Sequence, residues 1–366
     1  MLEAGIYIHI PFCISKCIYC DFLSFSGCES LYEPYVNALL AELRLASIEQ
    51  ISTVYIGGGT PTVLPLPMLC NILTSVLDLP LSKDAEISIE VNPGTVSYEY
   101  LKLIKSAGIN RLSFGLQSTD NHLLSLLGRV HTYSQFLENF INARNIGFNN
   151  INIDLMFGLP EQSAKVFGDT LSTVLNLNPE HVSFYSLTPS ENTSLWKDLM
   201  TNKVYLPCDE TDRKMYYLAL NLLANRGYSH YEISNAAKTG FECIHNLDCW
   251  LHKPYIGFGL GASSFDGNKR WSNPSAFSDY FARVKPEFQV LSDKELISEA
   301  MILGLRLIDG IDELLFESRY GIRPSKYFSD QIAKLIQDGF LERSINKIRL
   351  TSLGLDLANH VYMHFL

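Results

Sequence analysis

The sequence predicts an α/β protein: a partial (β/α)6 barrel of the TIM type, followed by a small helical domain of winged-helix type. Three observations predict this fold. Six short runs rich in β-branched and aromatic residues alternate with segments of helical periodicity over the first 190 residues. Polar residues fall at the ends of several of these runs, where the mouth of a barrel would lie. After residue 290, helical segments alternate with a short strand-like run.

Each of the six runs is a candidate strand because it is short and bounded by turn-forming residues. The runs are GIYIHI at 5–10, TVYIGGG at 53–59, EISIEVNP at 86–93, RLSFGLQS at 111–118, NINIDLMFGLP at 150–160 and HVSFYSLT at 181–188. The intervening segments, such as YSQFLENFINARNIG, carry apolar residues at helical spacing. Such alternation with short connections produces a parallel sheet flanked by helices.

These patterns divide the chain into three segments. We expect the core barrel over residues 1–200, a barrel extension over residues 201–290 and the helical domain over residues 291–366. The extension contains a helix that leads into the strand-like SHYEIS and then a loop-rich stretch that includes HNLDCW. In the helical domain, DQIAKLIQDGF lacks the basic residues that a DNA-recognition helix needs.

Composition excludes several classes of function. The formal net charge is -10 without a basic cluster, whereas nucleic acid binding needs clustered Lys and Arg to displace counterions. The sequence has neither a signal-peptide pattern nor an apolar run of roughly 18 residues that could span a membrane. We therefore expect a cytoplasmic protein with reduced cysteines, no nucleic-acid partner and no integral membrane segment.

Three of the eight cysteines, Cys13, Cys17 and Cys20, lie within HIPFCISKCIYCDF. In a reducing compartment such a cluster indicates metal binding or redox chemistry. A structural zinc site is closed by four ligands, and a disulfide would leave one cysteine over. An iron–sulfur cluster held by three thiolates keeps one iron open for chemistry. The spacing favours the cluster, and zinc is the alternative.

Polar residues and glycines end the predicted strands. The glycines at 57–59 would let backbone N–H groups approach a ligand closely, and the alternative is a plain strand-to-helix turn. Glu90, Gln117 and Asp154 lie at or just before the ends of three other strands. These side chains suit ammonium and hydroxyl groups of a ligand, although each alone would fit a surface or core position equally well.

Six motifs follow one another along the chain: CISKCIYC, GGGTPT at 57–62, EVNP at 90–93, FGLQS at 114–118, GRVH at 128–131 and NIDLMFGLP at 152–160. Together they closely resemble the radical S-adenosylmethionine (radical SAM) enzymes and, within them, the coproporphyrinogen-dehydrogenase-like group. The resemblance runs from Tyr7 to about Trp271. It implies that Cys13, Cys17 and Cys20 bind a [4Fe-4S] cluster, whose fourth iron is chelated by the amino and carboxylate groups of S-adenosylmethionine.

The resemblance also implies which residues contact S-adenosylmethionine. Gly58, Gly59 and Thr60 would contact its methionine part. Ammonium, ribose and carboxylate groups would meet Glu90, Gln117, Asp154 and Arg129. Tyr7 and Tyr19 match family positions that line the cofactor. No catalytic residue is assigned.

Two branches of this group compete. One contains the oxygen-independent coproporphyrinogen III oxidases, which decarboxylate propionate side chains in porphyrin biosynthesis. The other contains haem chaperones of the HemW type, which hand haem to acceptor proteins. The oxidases carry a fourth cysteine two residues after the third, where this chain has Phe22. They also carry an N-terminal extension, for which we expect no room before Tyr7. Both differences favour the haem chaperone.

The segment HNLDCW at 245–250 resembles a family motif, HNxxYW, proposed to take part in haem binding. The resemblance makes His245 and Cys249 candidate haem ligands, with Cys249 standing where the motif has tyrosine. The alternative is that the polar residues only satisfy a loop. His230 and His252 are further candidates in aromatic surroundings.

A haem chaperone of this type is expected to deliver haem to membrane respiratory cytochromes. Its other expected associations are bacterioferritin-like haem donors, peripheral contact with the inner membrane and a homodimer formed with haem. A third hypothesis is a non-catalytic module in which zinc staples the cysteine loop.

Overall fold

A computed structural model describes residues 3–366 and contains one large sheet, one small sheet and their surrounding helices. The strands are β1 (Glu3–Ile10), β2 (Gln50–Gly58), β3 (Leu81–Val91), β4 (Arg111–Gln117), β5 (Ile151–Phe157), β6 (His181–Ser186), β7 (Ser229–Glu232), β8 (Asn235–Ala237), β9 (Tyr255–Phe258), β10 (Ser263–Phe265), β11 (Lys269–Ser272), β12 (Gln289–Val290), β13 (Ile311–Asp312), β14 (Leu341–Arg343) and β15 (Lys347–Leu350). The helices are α1 (Tyr32–Leu43), α2 (Leu66–Leu77), α3 (Tyr98–Ser106), α4 (Asn121–Leu126), α5 (Tyr133–Ile146), α6 (Ala164–Asn176), α7 (Ser194–Met200), α8 (Asp209–Asn225), α9 (Ile244–Trp250), α10 (Phe277–Phe281), α11 (Asp293–Gly304), α12 (Glu313–Tyr320), α13 (Pro324–Tyr327), α14 (Ser329–Gln337), α15 (Ser352–Asp356) and α16 (Ala358–Tyr362).

Strands β1 to β6 pair in sequence order, each parallel to the next, and form the predicted partial barrel. Alternation along each strand sends apolar residues outward under the helices and polar residues into the barrel. In β1, for example, Ile6, Ile8 and Ile10 are fully buried in the apolar core, whereas Tyr7 and His9 point to the other face. The prediction of an α/β partial barrel is confirmed.

The large sheet extends beyond the six predicted strands at both sides. β9 is parallel to β1 and is followed by antiparallel β10, β11 and β12, while β8 and β7 continue from β6. Part of the stretch expected to be loops therefore forms strands. At the β7 side, backbone hydrogen bonds join residues 231–233 to residues 306–308, which precede the small sheet.

The C-terminal region has its own apolar core. A three-stranded antiparallel sheet, β13–β15–β14, packs with helices around Met301, Leu335, Ile348 and Phe365. This arrangement confirms the predicted small helical domain. The placing of domain boundaries at residues 200 and 290 stays a prediction. Within residues 3–366, every helix is too short or too polar to cross a membrane.

The expectation of a loop at HNLDCW is wrong, because residues 244–250 form helix α9. Its N-terminus is capped by a distant carboxylate: Glu86 on β3 accepts hydrogen bonds from the amides of Ile244 (3.2 Å) and His245 (3.3 Å). Arg111, only 1% exposed, lies within electrostatic range of the same carboxylate. A carboxylate at a helix N-terminus satisfies free amides and interacts favourably with the helix dipole.

Replacement of Glu86 with Ala should therefore destabilise the fold. It removes two hydrogen bonds from α9 and takes one negative charge away from the buried Arg111, so we expect the free energy of unfolding to fall by about 2–3 kcal/mol. Urea unfolding followed by circular dichroism measures this loss. Asp84→Ala, at an exposed position on the same strand, is the matched control and should change the value by less than about 0.5 kcal/mol. Equal losses in the two variants would contradict the capping role.

Candidate functional site

A cleft of about 740 Å³ opens at the carboxyl ends of the parallel strands. Its walls are the loop after β1 and the ends of β2 to β6. The three clustered cysteines, Cys13, Cys17 and Cys20, all line it. We call this space the cysteine cleft. Ligands of α/β barrels bind at this end because the loops after several strands converge there.

Backbone hydrogen bonds fix the cysteine loop on both sides. The Cys13 amide donates to Phe25 O (2.9 Å), and the Ile18 amide donates to Leu127 O (3.2 Å). From β2, the Thr60 amide donates to Phe12 O (2.7 Å). The loop is thus held against the barrel independently of what its thiols bind.

The thiols share the cleft without meeting at a point. No three His, Cys, Asp or Glu side chains within residues 3–366 are grouped so that they could hold one metal ion. Burial raises the pKa of both the Cys13 and the Cys20 thiol, which opposes the free thiolate form. Three thiols around one cleft match the ligands of a [4Fe-4S] cluster with one open iron, whereas a structural zinc site takes four ligands.

Two glycines let the end of β2 reach the cysteine loop. Gly58 has φ +112°, and a Cβ there would lie 2.6 Å from the His9 ring. At Gly59 a Cβ would lie 2.6 Å from Phe12 O and 3.0 Å from Cys13 Sγ. Both positions therefore require glycine, since a Cβ at position 58 would clash with the His9 ring of β1 and one at position 59 with the cysteine loop. A plain turn would not impose this requirement.

Polar side chains surround the thiols. Thr60 Oγ1 lies 3.5 Å from Cys13 Sγ, and Arg129 Nη1 lies 3.6 Å from Cys17 Sγ. Asn92 joins them, donating to Thr60 Oγ1 and accepting from Arg129 Nη2. Asn92 was not assigned as a site residue from sequence, although it lies within EVNP; its position between two assigned residues reveals its role.

Two carboxylates face the same cleft. Glu90 accepts hydrogen bonds from the Tyr55 hydroxyl (3.1 Å) and the Gly58 amide (3.1 Å). Asp154 accepts from Asn152 Nδ2 (2.7 Å) and the Ser113 hydroxyl (3.2 Å). Burial, together with the charge of Asp154, raises the pKa of Glu90 to about 7, and burial also raises the pKa of Asp154. Two buried carboxylates with raised pKa values favour a cationic ligand.

The structure brings eight of the nine expected S-adenosylmethionine contacts to the cysteine cleft: Tyr19, Gly58, Gly59, Thr60, Glu90, Gln117, Arg129 and Asp154. Gln117 has φ +72° and accepts from the hydroxyl of Tyr185 (3.0 Å), a cleft residue absent from the sequence-based assignment. Tyr7 lies deeper: its hydroxyl bonds to His9 Nδ1 (3.0 Å) and its ring stacks on Tyr55.

The expected haem ligands lie elsewhere. His245 is buried, with Nδ1 bonded to Thr53 Oγ1 (2.9 Å) and its ring stacked on Tyr55 at 5.3 Å. Burial, with the charge of Arg111, lowers the pKa of His245 to about 4, and burial raises that of the Cys249 thiol to about 12. Binding of iron by His245 would require α9 to move. The assignment of both residues as haem ligands stays a prediction.

Tyr55 lies between this histidine and the cysteine cleft. Its ring packs on His245, and its hydroxyl reaches Glu90. The other two histidine candidates are also mostly buried: His230 packs against Phe184 and Tyr216, and His252 packs against Phe265.

Comparison with known proteins gives two matching family models. The model of the Radical SAM superfamily matches residues 7–174, and that of the HemN C-terminal domain matches residues 291–357. Among curated relatives, Heme chaperone HemW of Bacillus subtilis (strain 168) is 37% identical and is aligned over 98% of each chain. Heme chaperone HemW of Lactococcus lactis subsp. lactis (strain IL1403) is 35% identical over 98% of this chain and 96% of its own.

Among solved structures, coproporphyrinogen III oxidase (HemN) from Escherichia coli, a radical SAM enzyme, has the same fold. The TM-score is 0.86, with 24% identity, over 100% of this chain and 90% of that chain. This likeness establishes the fold of the whole chain.

The raised pKa of Glu90 predicts a pH-dependent stability. In the unfolded chain a glutamate ionises near pH 4.3, so the folded state binds the extra proton between that pH and about 7. Above pH 7 the folded protein bears the cost of the buried charge. Glu90→Gln should therefore raise the free energy of unfolding of the ligand-free protein at pH 8 by roughly 2 kcal/mol, with a smaller gain at pH 5.

Urea unfolding at both pH values tests this prediction. The exposed Glu49→Gln is the control and should leave the stability unchanged at either pH. A Glu90→Gln gain of the same size at pH 5 and pH 8 would show that charge burial is not its cause.

Proposed function

The chain belongs to the HemW family within the Radical SAM superfamily, and from this we propose that it is a haem chaperone rather than a coproporphyrinogen oxidase. The observation that carries the proposal is the identity of 37% with a heme chaperone over nearly the whole of both chains. Haem, a [4Fe-4S] cluster and S-adenosylmethionine are the groups it would bind. Membership of the superfamily itself implies the last two.

The cysteine cleft fits the cluster. Cys13, Cys17 and Cys20 would hold it, and the donors of Thr60 and Arg129 near two of the sulfur atoms would stabilise their negative charge. When bound, such a cluster supplies one-electron chemistry and an iron open to a further ligand.

The cleft also fits S-adenosylmethionine, which carries a sulfonium and an ammonium cation. Glu90 and Asp154 supply buried negative charge, and Arg129 is the cation nearest the thiols. Tyr19 and Gln117 add polar groups to the wall. These residues bind and orient the cofactor, while the surrounding strands exclude water from the carboxylates.

Phe22 supports the carrier over the oxidase. It replaces the fourth cysteine of the oxidase pattern, lines the cysteine cleft and is 65% exposed. An exposed aromatic ring at this position suits contact with an apolar partner or ligand, and it supplies no thiol. The oxidase remains the second candidate because its fold covers the whole chain.

The proposal also includes where the protein acts and which proteins donate and accept the haem. We place the protein in the cytoplasm and at the inner membrane surface, with respiratory cytochromes as acceptors and bacterioferritin-like proteins as donors. The name of the relatives, heme chaperone, supports haem as the cargo. A homodimer formed with haem is tested by size-exclusion chromatography before and after haem loading: a shift to twice the mass is expected, and an unchanged mass would remove the dimer from the proposal.

Replacement of one cleft cysteine should abolish cluster binding. After anaerobic reconstitution with iron and sulfide, the native chain should hold about four iron atoms and absorb in the visible, whereas Cys17→Ala should lose most of both. Metal and sulfide analysis with absorption spectroscopy measures this. Cys28→Ala is the control, since Cys28 does not line the cleft. Zinc without sulfide in the native chain would favour the zinc-stapled module instead.

A paired assay separates the carrier from the oxidase. We expect the cluster-loaded protein to bind one haem per chain in a spectroscopic titration and to leave coproporphyrinogen III unchanged in the presence of S-adenosylmethionine and a reductant. The oxidase of this fold is the positive control. Decarboxylation at the rate of that control would overturn the carrier proposal, and so would failure to bind haem.

A further inference from the structure

A second cavity, of about 610 Å³, lies where the end of α9 meets α11, α12 and the small sheet. We call it the seam pocket. Its walls are mainly apolar and aromatic, with the main contributions from Trp250, Leu307, Ile311, Leu315, Phe316 and Tyr320. Leu315 is 58% exposed, so this apolar surface is open to solvent. Apolar walls with a few polar groups are typical of a small-molecule site.

Charges at the edge of the seam pocket are mainly positive. Arg319 and Lys347 line it. The Arg319 guanidinium is fixed by donation to the carbonyls of Leu251 and His252, whereas Lys347 pairs with the exposed Asp309 (2.9 Å). Asp312, also in the lining, accepts the first amides of α12. Apolar walls with cations at the edge suit an apolar ligand that carries carboxylates.

One side chain of the pocket could bind iron. The Tyr320 hydroxyl lies 2.9 Å from Nδ1 of His252, a residue that is 3% exposed. The His252 ring is clamped against Phe265, with centroids 4.3 Å apart and planes at 10°. Its backbone φ is +54°, a left-handed conformation that is strained for a non-glycine residue. The hydrogen bond with this immobile histidine holds the Tyr320 hydroxyl in one position.

The far nitrogen of His252 is not satisfied by the protein. Nε2 is buried and has no hydrogen-bond partner within residues 3–366, although Glu299 Oε2 lies 3.3 Å away outside hydrogen-bonding geometry. Two hydrogen bonds from Arg270 (3.0 and 2.6 Å) hold Glu299 in place. Burial, with the nearby charges of Arg319 and Arg270, lowers the pKa of His252 to about 3, so the ring stays neutral and orients the Tyr320 hydroxyl through their hydrogen bond.

We propose that the seam pocket is a haem site, in which the Tyr320 hydroxyl would bind the iron and His252 would hold that hydroxyl in position. The proposal rests on the proposed function, that the chain carries haem. Tyrosine is an established protein ligand of haem iron. Tyr320 would hold the iron through its hydroxyl oxygen, with the phenol proton released to solvent, and His252 Nδ1 would orient that oxygen. Arg319 and Lys347 would meet the haem carboxylates.

This assignment gives the HNLDCW segment a different part in haem binding. The pocket begins where α9 ends, at Trp250 and Leu251, so the segment supplies a wall of the site. His245, buried beside Thr53 and Tyr55, then supports the helix instead of binding iron.

Titration of the full, cluster-loaded chain with ferric protoporphyrin IX tests the ligand. Tyr320→Phe should weaken binding about tenfold and remove the phenolate-to-iron charge-transfer band, whereas Tyr327→Phe, outside the pocket, should change neither. Iron-free protoporphyrin IX should bind the native chain and Tyr320→Phe equally. Lys347→Ala should weaken both porphyrins several-fold, with Lys334→Ala as its control.

The outcomes separate this inference from the proposed function. If the native chain binds haem and Tyr320→Phe keeps the same affinity and spectrum, the seam pocket assignment is overturned and the haem chaperone stands. Loss of the haem spectrum in His245→Ala alone would also overturn it. If the native chain binds no haem, the proposed function fails first and the inference fails with it.

Discussion

The interior of the barrel is polar, and every buried polar side chain there needs a partner. That requirement organises the molecule from one end to the other. At the closed end, Glu86 is satisfied by the first amides of α9. Midway, the Tyr55 hydroxyl binds Glu90. At the open end, Glu90 and Asp154 face the cysteine cleft, and burial raises the pKa of both carboxyl groups. The candidate site thus lies at the end of the barrel where buried carboxylates face an open cleft.

Local sequence patterns are sufficient to predict the barrel and most of the residues that line the cysteine cleft. Strand alternation located Glu90, Gln117 and Asp154 at strand ends, and parallel strands bring such ends together whatever lies between them. Helix α9 could not be predicted in the same way, because its N-terminus is capped by Glu86, which is distant in sequence. The burial of His245 has the same origin, since Thr53 and Tyr55 come from β2. Long-range partners leave no periodic signal in the sequence.

The fold of the chain and its family membership give different information about its function. The fold is that of a coproporphyrinogen oxidase over the whole chain, so the shape of the barrel does not distinguish oxidation of a porphyrin from transport of one. The resemblance to the oxidases indicates one difference at the mouth of the cysteine cleft, where Phe22 stands at the position that the oxidase pattern gives to a cysteine. Under the proposed function, a carrier would keep the cofactor site of an enzyme with a different side chain at its entrance.

The hydrogen bonds between residues 231–233 and 306–308 have a consequence for solubility. A barrel that does not close has two edge strands, and an unpaired edge is a template for association with other chains. The segment that leads into the small sheet covers the backbone of β7, one of these edges. The C-terminal domain therefore protects the barrel against edge-to-edge aggregation, so loss of that domain would expose the backbone of β7 to other chains.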